Sequence, residues 1–81
     1  MDQETLKQEI LNQLREAAPD ADPDSLEADT PFRDQFEMDS VDFLNFVLGL
    51  EKRLGVSIPE YDYPQLASLE GARYYLTEKL G

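Results

Sequence analysis

The residues with the clearest chemical potential are Asp39 and Ser40, which lie in the apolar stretch FEMDSVDFLNFVLGLEKRL, residues 36–54. An aspartate directly before an apolar-periodic run is typical of a helix N-cap, so the pattern predicts that Ser40 lies in the first helical turn. Unpaired backbone N–H groups and the positive end of the helix dipole favour a negative group at that position. A serine placed there is suited to carry a phosphodiester on a rigid, exposed support.

The composition excludes several kinds of catalysis. The 81-residue sequence has no cysteine and no histidine, so it offers neither a thiolate metal site nor a Ser–His or Cys–His pair. It also lacks a glycine-rich phosphate loop and a GxSxG elbow. We therefore do not expect an enzyme, and a working thiol would have to be added after translation.

The acidic residues suggest partners rather than a metal site. Asp20–Asp24 starts like an EF-hand calcium loop, but Ser25 stands where glycine is needed and Pro31 where the bidentate glutamate belongs. The net charge of −11 and the absence of Lys/Arg clusters argue against nucleic-acid binding. The same charge favours association with proteins that have basic patches.

Hydrophobic periodicity predicts one all-α domain over residues 1–81, a bundle of three longer helices and one short third helix. The expected elements are a helix over about 3–17 capped by Asp2, a helix over Ser40–Leu54 ended by Gly55, a short helix within 60–66, and a helix over about 69–80 capped by Ser68. In the last helix, four side chains are expected to face inward: Leu69, Ala72, Leu76 and Leu80.

The connection over residues 19–38 is long for a small domain, and loops of this length are usually functional or held by their own side chains. Leu26, Phe32 and Phe36 are its expected anchors in the core. The chain has no run of 18 apolar residues and no basic, apolar start, so we expect no membrane span and no signal peptide. A cytoplasmic monomer is the expected form.

The order of these features closely resembles the acyl carrier protein family over nearly the whole chain. The resemblance is strongest in FEMDSVD, residues 36–42, and in LGVSIP, residues 54–59. In that family the serine after the aspartate carries 4′-phosphopantetheine, so the resemblance implies this role for Ser40 and the preceding motif position for Asp39. It also implies a four-helix bundle of acyl-carrier type, acyl cargo held as a thioester, and a separate phosphopantetheinyl transferase.

The second helix has a wider apolar arc than one core contact requires. We expect the face near Ser40 to bind acyl-transferring or acyl-modifying enzymes with basic docking patches. The predicted docking residues are Val41, Asp42, Asn45, Leu48 and Glu51. Five other residues are expected to pack in the core, for the most part, or to border a space for the acyl chain: Phe43, Phe46, Leu50, Ile58 and Leu66.

The sequence departs from the family pattern at Glu37, where glycine is usual, and at Val41, where leucine is common. Carriers of fatty-acid synthesis usually have a strongly acidic second helix, whereas this one contains Lys52 and Arg53. That difference favours a specialised carrier over the housekeeping one. Two alternatives remain open, an aminoacyl or D-alanyl carrier of peptidyl type and an acidic helical adaptor without a prosthetic group.

Overall fold

The computed structural model describes residues 1–81 and contains only helices. The three α-helices are α1 (Gln3–Ala17), α2 (Ser40–Leu54) and α3 (Leu69–Leu80). Two 3₁₀ helices complete the chain, η1 (Phe32–Asp34) before α2 and η2 (Glu60–Leu66) before α3. The all-α bundle is confirmed, and the three α-helices have the predicted bounds. The sequence did not predict η1, because a three-residue turn has no hydrophobic period of its own.

Capping side chains explain where the α-helices begin. Asp2, Asp39 and Ser68 precede α1, α2 and α3, and each accepts a hydrogen bond from the backbone N–H three residues on, at 2.7, 2.8 and 3.0 Å. Gly55 ends α2 with φ of 67°, a left-handed conformation that glycine adopts without steric cost. The sequence therefore sets the start of α2, and with it the position of Ser40, by local chemistry alone.

The helices enclose a core of fifteen buried residues. Helix α1 packs against both α2 and α3, and η2 packs against α3. Phe46, Val47 and Leu50 of α2 are completely buried at its centre, and the ring of Phe32 meets that of Phe46 edge-on at 5.4 Å. None of the helices is both long and apolar enough to cross a membrane.

The inward face of α3 differs from the prediction at one position. Leu80 was expected to face inward, but it is exposed in the last turn, beyond the core, while Tyr75 is buried instead. The hydroxyl group of Tyr75 donates a hydrogen bond of 2.7 Å to Asp62 of η2, which satisfies its polar end while the ring packs inside. Burial, and then this hydrogen bond, raise the pKa of Tyr75 to about 12.

The long connection between α1 and α2 is anchored as predicted. Phe32 is buried, and Leu26 and Phe36 pack half-buried against the core. The side-chain amide of Gln35 also closes the loop on itself. Its oxygen accepts from the N–H of Glu27 at 2.7 Å, and its nitrogen donates to the carbonyl groups of Glu27 and Thr30 at 2.8 Å.

Two backbone hydrogen bonds join this connection to the start of α3. The N–H of Phe32 donates to the carbonyl of Ala67 at 2.8 Å, and the N–H of Glu70 donates to the carbonyl of Ala28 at 2.9 Å. As a result, η1 is held beside the C-terminal end of η2. This arrangement brings residues from distant parts of the chain to the surface around Ser40.

Candidate functional site

Ser40 is the first residue of α2, and its side chain is exposed. The turn that presents it is a reciprocal capping box. Asp39 accepts a hydrogen bond from the N–H of Asp42 at 2.8 Å, and Asp42 accepts one from the N–H of Asp39 at 3.3 Å. Two backbone donors at this helix end are thereby satisfied, and the geometry around Ser40 is fixed on both sides.

The N-terminal end of α2 also has hydrogen-bond donors without an acceptor in the protein. The N–H groups of Ser40 and Val41 have no acceptor within the chain, and the hydroxyl group of Ser40 makes no hydrogen bond. Two free N–H groups at the positive end of a fifteen-residue helix favour an anionic substituent on the serine oxygen. The predicted position and exposure of Ser40 agree with the observed ones.

An open groove of about 690 Å³ begins beside Ser40. The apolar part of its wall comes from η1, the segment before α2, the first turns of α2, and η2 with the residue that follows it: Phe32, Met38, Phe43, Leu44, Tyr63, Pro64 and Ala67. Arg33 and Glu60 add a positive and a negative charge to the same groove. A group attached to Ser40 can therefore extend along an apolar surface without entering the core.

The residues expected to border an acyl space divide into two groups. Phe43 lines the groove and is half-buried. The other four, Phe46, Leu50, Ile58 and Leu66, are at most 4% exposed and belong to the core. Core packing, the role expected for most of these residues, is what the structure shows for those four.

The outer face of α2 has exposed apolar side chains, as the wide apolar arc of its sequence indicated. Val41 and Leu48, both predicted docking residues, are exposed, and Leu44 is exposed between them. Asn45 is exposed on the same helix, and Asp42 is half-buried in the capping box. Leu44 was not among the predicted docking residues, although its place in the over-wide apolar arc was a signal for it.

Glu51 has an internal contact that its sequence position did not reveal. Its carboxylate accepts a hydrogen bond of 3.0 Å from the N–H of Ile58, and its side chain is half-buried. The carboxylate therefore holds the connector between α2 and η2 in place. A contribution of Glu51 to partner binding stays a prediction.

The two cations near the end of α2 are in different environments. Arg53 donates two hydrogen bonds, of 2.5 and 3.0 Å, to the carboxylate of Glu9 on α1. The hydrogen bond from Arg53 lowers the pKa of Glu9, which keeps this carboxylate ionised and the arginine charge compensated. Lys52 is exposed and has no carboxylate partner. The free positive charge on this helix is therefore that of Lys52 alone.

Comparison with known proteins agrees with this geometry. Residues 5–72 match the family model described as the phosphopantetheine attachment site, which defines the class as a phosphopantetheine-bearing carrier. The chain is 33% identical over 76 residues to the polyketide-8 synthase acyl carrier protein 2 of Streptomyces avermitilis, covering 94% of this chain and 87% of that one. It is 31% identical over 78 residues to the acyl carrier protein of Kineococcus radiotolerans, covering 93% and 96%.

A third relative, the acyl carrier protein of Lactobacillus acidophilus, is 28% identical over 78 residues, with 93% of this chain and 98% of the relative covered. The chain belongs to the acyl carrier protein family. Proteins of this family are carriers rather than enzymes, and their prosthetic group is 4′-phosphopantetheine, attached by a separate transferase.

The residues at the start of α2 fit this prosthetic group. The group joins its carrier through a phosphodiester, and Ser40 offers an exposed, unpaired hydroxyl group beside two free backbone N–H groups. The groove next to Ser40 offers apolar surface for the part of the arm beyond the phosphate.

Proposed function

We propose that this protein carries acyl groups as thioesters on a 4′-phosphopantetheine arm attached to Ser40. The observation that carries the proposal is the exposed hydroxyl group of Ser40, held by a capping box at the mouth of an apolar groove. The arm, when attached, supplies the thiol that this cysteine-free chain lacks. The adaptor alternative without a prosthetic group does not agree with the family to which the chain belongs.

The chain's own residues have three tasks in this function. Asp39 and Asp42 fix the first turn of α2 and so the direction in which Ser40 faces. The groove walls shield part of the attached group from water. The exposed Val41, Leu44 and Leu48 form an apolar stripe on α2 that is suited to contact partner enzymes. Asp42, Asn45 and Glu51 stand on the same helix, where we propose that they contribute polar contacts to that surface.

Attachment is tested by incubating the apo protein with coenzyme A, magnesium and a broad-specificity phosphopantetheinyl transferase, followed by intact-mass measurement. Wild type should gain one arm, and Ser40→Ala should gain none while it keeps the helical circular dichroism spectrum. Ser57→Ala is the matched control, because Ser57 is also exposed but lies in a connector, and it should load fully. Wild type that stays unmodified by several transferases, or Ser40→Ala that is modified, would contradict the proposal.

The partner enzymes are proposed to be those of a specialised pathway rather than of general fatty-acid synthesis. The free charge of Lys52 on α2 would oppose a basic patch built for an acidic helix, and such charges act mainly on the association rate. The similarity to a polyketide synthase carrier supports the same proposal. An aminoacyl cargo would instead be revealed by loading of the holo protein by an amino-acid-adenylating enzyme.

Charge reversal tests the partner proposal. Holo wild type should be a poor substrate in malonyl loading and ketoacyl condensation by fatty-acid-synthesis enzymes, and Lys52→Glu should improve both several-fold through faster association. Arg53→Glu is the comparison variant. It should help less and lower stability, because the new carboxylate would face Glu9. Wild-type turnover equal to that of a housekeeping carrier would contradict the specialised role.

A further inference from the structure

Arg33 is the single basic residue among the eleven that line the groove beside Ser40. It takes part in neither of the two ion pairs of the protein and in none of its side-chain hydrogen bonds. The other three arginines of the chain, Arg15, Arg53 and Arg73, each make at least one side-chain hydrogen bond. The guanidinium group of Arg33 is thus available to an anion that enters the groove.

Hydrogen bonds on both sides of Arg33 fix the position of its backbone. Arg33 is the middle residue of η1, directly after the buried Phe32. The N–H of Phe32 is hydrogen-bonded to the carbonyl of Ala67, and Gln35 clamps the following turn through three hydrogen bonds. The backbone of Arg33 is therefore fixed on both sides, and its side chain lines the same groove as Ser40.

The charges around Ser40 show why a cation is needed there. Asp39 and Asp42 flank the serine in the capping box, and Glu60 lines the same groove. A phosphodiester on the serine oxygen would add a further negative charge to this set. The N–H groups of Ser40 and Val41 offset part of the repulsion, but they carry only partial charges. Arg33 is the full positive charge within the groove.

We infer that Arg33 binds the phosphodiester of the arm on Ser40 and so directs the start of the arm into the groove. A guanidinium group suits this task because its planar, forked N–H donors match phosphate oxygens in a bidentate contact. The contact would be partly exposed, so it should be sensitive to salt. The inference rests on the proposed attachment at Ser40, and it assigns Arg33 a role in holding the arm, separate from any role in recognition by the transferase.

The test compares wild type with Arg33→Gln and with Lys7→Gln, which removes one positive charge from an exposed position on α1 without an ion pair. Each protein is loaded to completion and checked by intact mass. If wild type takes no arm, the proposed function itself fails and the inference falls with it. If all three proteins load, two measurements test the contact between Arg33 and the arm. Both are made at equilibrium without any enzyme, so recognition by the transferase does not affect them.

The first measurement is the Nε–Hε correlation of Arg33 in nitrogen-15-labelled apo and holo wild type, with the signal of Arg15 on α1 as internal reference. The Arg33 signal should shift on loading and return towards its apo position as salt is raised above about 0.1 M, while Arg15 stays unchanged. An Arg33 signal that is the same in apo and holo protein would overturn the inference.

The second measurement is the change in Tm between the apo and holo forms of each variant at low salt. The Tm change on loading, holo minus apo, should be about 1–4 °C lower for Arg33→Gln than for Lys7→Gln. A difference of this size is expected for one exposed charge pair in a domain of this size. Equal changes in the two variants would contradict a direct contact between Arg33 and the phosphodiester.

Discussion

Asp42 has a structural role that differs from the role predicted for it by its position in the sequence. Its place on the outer face of α2, near Ser40, predicted a docking residue. In the structure its carboxylate closes the capping box by accepting from the N–H of Asp39. The usual box has glutamate or glutamine at this position, so an aspartate there was not a recognisable signal. The docking role of Asp42 stays a prediction beside this structural one.

Two substitutions at Asp39 separate helix capping from charge. Asp39→Ala removes the cap and should lower the free energy of unfolding by about 1 kcal/mol, while Asp39→Asn keeps a side chain of equal capping preference. We propose that the carboxylate itself also orients the transferase complex, and in that case the rate of arm attachment should fall in both variants. Denaturant unfolding and loading kinetics measure the two effects. A rate that falls for Asp39→Ala alone would show that Asp39 serves only as a cap.

At the scale of secondary-structure elements, two glycines lie where neighbouring elements approach closely. One is next to backbone and the other is next to a side chain. A Cβ atom on Gly71 of α3 would lie 2.5 Å from the backbone carbonyl oxygen of Gln65, where η2 ends. A Cβ atom on Gly49 of α2 would meet the side-chain amide of Gln13 on α1. Backbone cannot move without shifting η2, whereas the end of a glutamine side chain can rotate away. The junction between η2 and α3 therefore depends on glycine more than the contact between α1 and α2 does.

This difference predicts opposite responses to the same substitution. Gly71→Ala should lower the free energy of unfolding by about 1–3 kcal/mol, the usual cost of overpacking. Gly49→Ala should leave stability unchanged or raise it by up to about 1 kcal/mol, because alanine favours a helix interior over glycine. Urea unfolding of both variants gives the comparison. Equal destabilisation would show that Gln13 is as fixed as the backbone of η2.

Net charge is the property of the whole molecule that most affects its behaviour. The chain carries a net charge of −11, and its basic residues form only two ion pairs, Arg53 with Glu9 and Arg73 with Glu70. Most carboxylates are exposed and have no cation within ion-pair distance. Self-repulsion between them disfavours the compact state, and we propose that the same negative charge attracts enzymes with basic docking patches.

Screening of this repulsion should stabilise the fold. At neutral pH we expect the Tm to rise by several degrees when salt is added to about 0.1 M, where the screening length is about 10 Å. Scanning calorimetry at several concentrations of sodium chloride measures the effect, and an uncharged osmolyte at equal osmolality serves as control. A Tm that stays constant or falls would mean that hydrogen bonds and capping contacts already compensate the carboxylates.

The sequence alone was sufficient to predict the features that depend on local chemistry. Capping residues at Asp2, Asp39 and Ser68 and the apolar period between them predicted the bounds of α1, α2 and α3. The start of α2 in turn placed Ser40 at an exposed helix end. These features are readable from the chain because a cap or a helical period involves only residues within about four positions of one another.

The features that join distant segments were decided by tertiary packing. The groove forms where η1, the start of α2 and η2 meet, and a hydrogen bond from Phe32 of η1 to Ala67 holds η1 beside the end of η2. Arg33 and Glu60 thereby line the same groove as Ser40. The pairing of Arg53 with Glu9 spans 44 positions, so no local pattern indicated that its charge would be compensated. Neither the path of a loop nor the partner of a long side chain is set by periodicity, since both depend on which surfaces meet once the core has formed.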